Sequence, residues 1–145
     1  MNAHNLKRLR IKGRRTTSFF VMFPYHVLDH AVFKTLSTRA TKLVMDLAAQ
    51  YRGHNNGDLC APLSLMRGRG WNSSDQLHKA KKELIEKDVI WVTRQGGLNK
   101  ANLYALTWFP IDECNGKLDV ASTKTAPVKW RNKLSSPADG AKGYD

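Results

Sequence analysis

At 145 residues and 41% hydrophobic content, the chain has room for one domain with a real core and none for a second full domain. Twenty-four Lys and Arg stand against 12 Asp and Glu, a net charge of +12, which favours a polyanionic partner such as nucleic acid or an acidic membrane surface. No apolar run approaches the roughly 18 residues of a spanning helix, and the start MNAHNLKRLRIKGRR has no apolar core after its charges, so a membrane or secreted protein is not expected and a cytoplasmic location is.

Charge divides the chain into three zones. Residues 1–20 carry Lys7, Arg8, Arg10, Lys12, Arg14 and Arg15 and no acid. Such a like-charged run repels itself and offers little to bury, so a flexible basic arm is expected over 1–18. The folded body is expected over 19–110, where most large apolar residues lie. An extension and mostly flexible tail follow over 111–145. Its Ser, Pro, Gly and Lys content suggests little order after about residue 120, with Trp130 as its one anchor.

Within the body, FPYHVLDHAVFKTL repeats apolar residues every three to four positions, at Val27, Leu28, Ala31, Val32 and Leu36, which predicts a short helix. Ser37 is suited to cap the next helix, whose stripe of Leu43, Val44, Leu47 and Ala48 ends near Tyr51 and Gly53 after about four turns. Turn residues in GHNNGD precede a small strand at Leu59 and Cys60, then a helix beginning around Pro62 and ended by RGRG at 67–70. Asn72 or Ser73 caps the following helix, 73–87, and Gln76 is placed to complete a capping box with Ser73. The alternation of Ile90 and Val92 against Trp91 and Thr93, a break at Gln95, Gly96 and Gly97, and renewed alternation at Tyr104, Leu106 and Trp108 predict a β-hairpin.

The stretches LSTRATKLVMDLAAQYRGHNNGDL, GWNSSDQLHKAKKELIEKDVI and TRQGGLNKANLYALTW together resemble the winged helix-turn-helix domains of proteobacterial phages, plasmids and integrated elements, related to replication-initiation and regulatory proteins. The likeness covers about residues 19–110. It implies an α+β winged helix-turn-helix fold, a helical bundle with a C-terminal hairpin wing. It departs from the pattern at Lys81, where an aliphatic residue is usual; the lysine stem can still pack while its ammonium reaches water.

On helix 73–87, Leu77, Ala80 and Leu84 share the expected buried face, whereas Asp75, Lys79, Lys82 and Glu86 fall opposite and His78 on the flank. The resemblance implies that this outer face enters the major groove of double-stranded DNA. Candidate contacts are Asn72, Ser73 and Ser74 at the helix start, whose free amides suit a phosphate, with Asp75, His78, Lys79 and Lys82 along the face. Arg67 and Arg69, in the turn before the helix, are further candidate DNA contacts. Arg94, Gln95 and Lys100 flank the expected wing, 94–100, where Gly96 and Gly97 permit positive backbone angles and close approach to a duplex. Arg14 and Arg15 in the arm are suited to a neighbouring minor groove.

Other chemistries find less support. His26 and His30, four apart with Asp29 between them, have metal-compatible spacing without a further ligand cluster, so a surface or core-edge histidine pair is expected and no metal. Cys60 and Cys114 lack CxxC spacing and read as ordinary thiols. Without GxxxxGK[ST], GxSxG or HExxH, neither an enzyme nor a cofactor is expected. Trp71, Trp91, Trp108 and Tyr104 are expected to pack in the core. The function expected is double-stranded DNA binding in replication or transcription of a mobile element, with replication or transcription proteins and a second copy of the chain as further candidate partners. A protein-interaction module gripping an acidic partner, or an RNA-binding version, remain alternatives.

Overall fold

The computed structural model of the protein describes residues 20–130. The arm expected over 1–18, including Arg14 and Arg15, lies outside them. Among the described residues the fold is α+β, with five α-helices preceding a two-stranded antiparallel sheet.

The first expected helix is two. α1 (Tyr25–Leu28) stops at Asp29, and α2 (Ala31–Lys34) begins anew. The break lies at His30, whose backbone is extended and whose Nδ1 accepts from the Val32 amide at 3.1 Å, so it caps α2 instead of continuing α1. Trp130 packs edge-on against the same imidazole at 5.0 Å. A sequence period of three to four persists across such a break and does not reveal it.

α3 (Thr38–Ala48) is capped by Ser37, whose hydroxyl accepts from the Ala40 amide. It has 11 residues, about three turns where four are expected, because the chain leaves the helix before Tyr51 and Gly53. Ala40, Leu43, Val44, Leu47 and Ala48 face the core. α4 (Leu63–Met66) follows Pro62 and passes into a 3₁₀ turn, Arg67–Arg69, closed by Gly70 in the left-handed region at φ +92°.

α5 (Ser74–Glu86) is capped by Ser73, whose hydroxyl accepts from the Gln76 amide at 3.2 Å. The capping box is not completed: the Gln76 side chain accepts from Arg39 Nη1 at 2.8 Å and ties α5 to α3 instead. A second tie runs from the Ser37 amide to Glu83 Oε2 at 2.8 Å. Leu77, Ala80 and Leu84 close the shared interior. Each large apolar side chain buried there contributes roughly 1.5–3 kcal/mol.

β1 (Ile90–Arg94) and β2 (Leu103–Leu106) pair with Ile90 opposite Leu106 and Val92 opposite Tyr104. The register slips between Val92 and Arg94, a bulge that turns Thr93 inward, where its hydroxyl donates to the Gly57 carbonyl at 2.6 Å. The expected strand at Leu59 and Cys60 contracts to one bridge, in which Leu59 and Tyr104 exchange backbone hydrogen bonds. β2 is therefore flanked on both edges.

Every residue of β2 is buried, including Leu103 and Ala105, which alternation alone would place outside. The chain after residue 110 explains part of the cover. Asp119 N–H donates to the Thr93 carbonyl and Val128 N–H to the Thr107 carbonyl, while Ile111 and Thr123 bond to each other. Ile111, Val128 and Trp130 are buried. Thus Trp130 is an anchor as expected, but residues 111–130 also belong to the packed unit, contrary to the expectation of a tail with little order after about 120. The aromatic cluster they complete joins Phe23, Phe33, Trp108 and Trp130.

Candidate nucleic-acid interface

The site begins with the joint that aims α5. Asp46, buried on α3, accepts from Trp71 Nε1 at 2.7 Å, Lys42 Nζ at 2.9 Å and Arg69 Nε at 3.0 Å. Lys42 Nζ also donates to the Arg69 carbonyl at 2.7 Å. Burial works against ionisation of Asp46, but the bonds from Trp71, Lys42 and Arg69 outweigh it and hold its carboxyl below the ordinary 3.8. These contacts clasp the 67–71 turn onto α3, and α5 departs from that turn. Arg69, expected to contact DNA, therefore has its Nε committed to the joint. Trp71 is buried, in line with a core role.

Asn72, Ser73 and Ser74 are exposed at the start of α5, with the Ser73 hydroxyl already engaged as the cap. Opposite the buried Leu77, Ala80 and Leu84, the outer face presents Asp75, His78, Lys79, Lys82 and Glu86. It is not simply cationic. Lys79 meets Asp75 at 2.9 Å, and Lys82 meets Glu86 at 3.9 Å. The hydrogen bond and charge of Lys79 lower the Asp75 carboxyl from its usual value. Lys79, Lys81 and Lys82 are matched in number by Asp75, Glu83 and Glu86, so the positive charge of the chain is not concentrated on this helix.

The hairpin loop stands beside α5. Arg94 is half-buried and its Nη2 donates to the Ala101 carbonyl at 3.0 Å, so it braces the loop. The Gln95 amide is held by Asp119 Oδ2 at 2.9 Å, and Lys100 and Arg67 are exposed. The glycines do not have the expected positive angles. The left-handed residue of the tip is Asn99, at φ +56°, inside the turn closed by a two-way backbone bridge between Gly97 and Lys100. Gly96 is needed for another reason: a Cβ there would collide with the Lys100 carbonyl and lie 2.7 Å from the Asn102 amide nitrogen.

Leu98, 94% exposed at the tip, and Lys81, half-buried between α5 and the loop, are features that sequence reading leaves out of the site. Leu98 was legible from its position between Gly97 and Asn99 in a turn. The neighbours of Lys81 belong to distant segments. Trp91, expected in the core, is 37% exposed on the outer side of β1, whereas Trp108 and Tyr104 are buried as expected.

Among the described residues, no group of three or more His, Cys, Asp and Glu could hold a metal ion, and Cys60 and Cys114 are free thiols. No described helix is long and apolar enough to cross a membrane. No protein-family model, curated protein or solved structure matches the chain.

Proposed function

We propose that the chain binds double-stranded DNA as a winged helix-turn-helix domain, with α5 in the major groove and the 94–100 loop as a wing against backbone or minor groove, in the replication or transcription of a mobile element. The observation that carries this reading is the juxtaposition of two exposed elements. The outer face of α5 projects His78, Lys79 and Lys82 away from its buried stripe, and the loop bearing Leu98 and Lys100 borders the same helix. The order of helices, bridge and hairpin, with Leu59 extending the sheet beside β2, supports the fold assignment.

Binding takes its strength from phosphate neutralisation and counterion release. Lys79 and Lys82 exchange their intrahelical carboxylates for phosphates, a small loss because both pairs are solvent-exposed. Asp75 and Glu86, left on the face, disfavour wrong registers. The test is gel retardation of random-sequence duplexes over a salt series. A steep fall in affinity with salt is expected, and no retardation at low salt would overturn the proposal.

The internal ion pairing of α5 favours a second reading, a protein-interaction surface, since a charge-balanced face is less suited to a polyanion. A partner retained after nuclease treatment, with no duplex retardation, would select it. Preference for structured or single-stranded RNA over duplex DNA would identify the RNA-binding version.

A further inference from the structure

We propose that the cleft between α5 and the hairpin loop is a binding site for a phosphate-type oxyanion, held by Lys81 and Lys100. The cleft has a volume of about 300 Å³ and is open to solvent. Ala61 and Pro62 form one wall, Lys81 enters from α5, and Gly96, Gly97 and Lys100 line the loop side, with no carboxylate among the lining residues.

Lys81 is the unusual member. It lies on the flank of the buried stripe, is half-buried, and forms no hydrogen bond or ion pair with the described residues. Half-burial strips part of the water from this side chain without giving it a counter-ion, and an oxyanion supplies both charge and acceptors. Burial pushes the Lys81 ammonium below the ordinary 10.5, and the Cys60 thiol acts on it in the opposite sense. Its neighbours on α5 do not compensate it, because Glu83 accepts from the Ser37 amide and also faces Lys87.

Gly97 adds no side chain to the loop wall, and a Cβ there would meet nothing within 4 Å, so this part of the cleft stays open to a tetrahedral group bearing a short substituent. Lys100, exposed at the opposite wall, adds a second cation. The apolar contribution of Ala61, Pro62 and Tyr104 favours a phosphate monoester over the bare ion. The same chemistry is offered by a free phosphate ester or by a phosphodiester of a duplex.

The full chain is titrated with sodium phosphate against sodium chloride at matched ionic strength, following the Lys81 side-chain resonances and the thermal midpoint. Saturable shifts with phosphate alone are expected. Lys81→Met keeps the aliphatic stem and should weaken binding at least about tenfold, the effect of losing one charge-assisted contact, while Lys81→Arg should restore most of it. Lys100→Met should weaken binding by a smaller factor. An equal response to chloride, no saturation, or full retention in Lys81→Met would overturn the site. This arm contains no nucleic acid, so its outcome is independent of DNA binding. A short duplex added to the phosphate-loaded protein distinguishes the sources: displacement assigns the site to backbone phosphate and coexistence to a free ester, and either result upholds the site.

Discussion

Replacing Asp46 with alanine should loosen the joint that orients α5, and the loss can be worked out contact by contact. Trp71 Nε1–H, buried and 2.7 Å from the carboxylate, would be left without an acceptor, a penalty of ~1–3 kcal/mol. Lys42 and Arg69 are 46% and 50% exposed, so their ion pairs with Asp46 are worth only ~0–1 kcal/mol each. Together these give about 3 kcal/mol, a fall of roughly 10–15 °C in Tm for a unit of this size. Urea and thermal unfolding measure it directly. Asp46→Asn should recover part of the loss, because its amide oxygen can still accept from Trp71. A cycle with Trp71→Phe should show about 1–2 kcal/mol of coupling. Destabilisation under about 0.5 kcal/mol, or strict additivity with Trp71→Phe, would refute the reasoning. The pH dependence adds a check. A carboxyl held below its unfolded value contributes stability that is present above the unfolded pKa and lost as pH falls through the folded one. The difference between wild type and Asp46→Asn should therefore be full at neutral pH and close below pH 3.8.

Three further outcomes are expected. Asn56 is fully buried, accepts from the Leu106 amide at 2.8 Å and donates to the Leu106 and Pro110 carbonyls at 2.9 Å each, so Asn56→Ala should lose about 3 kcal/mol in chemical denaturation. Gly96→Ala must displace loop backbone and should lose ~1–3 kcal/mol, whereas Gly97→Ala, with nothing within 4 Å of the added Cβ, should stay within about 0.5 kcal/mol. Lys79→Ala combined with Lys82→Ala should change stability by less than about 1 kcal/mol, since both ion pairs are exposed, yet reduce the salt-dependence slope of duplex binding by about 2. An unchanged slope would remove these lysines from the proposed interface.

What the sequence by itself determined is local. Ser37 and Ser73 cap α3 and α5 because a hydroxyl one position before a helix reaches amides three residues on, and Leu77, Ala80 and Leu84 face inward because helical spacing puts them on one side. Gly70 ends the turn before α5 for an equally local reason, its left-handed backbone. Only the tertiary structure decided which charges remain available. Arg69 is drawn to Asp46 and Arg94 to the Ala101 carbonyl, while Lys81 acquires a cleft whose walls come from residues 61–62 and 96–104. It likewise decided that His30 interrupts the first helix against Trp130, and that residues 111–130 help cover a sheet whose strand pattern shows only one inward face. Caps and periodicity act within a few residues of chain, whereas charge pairing and burial depend on segments that folding alone brings together.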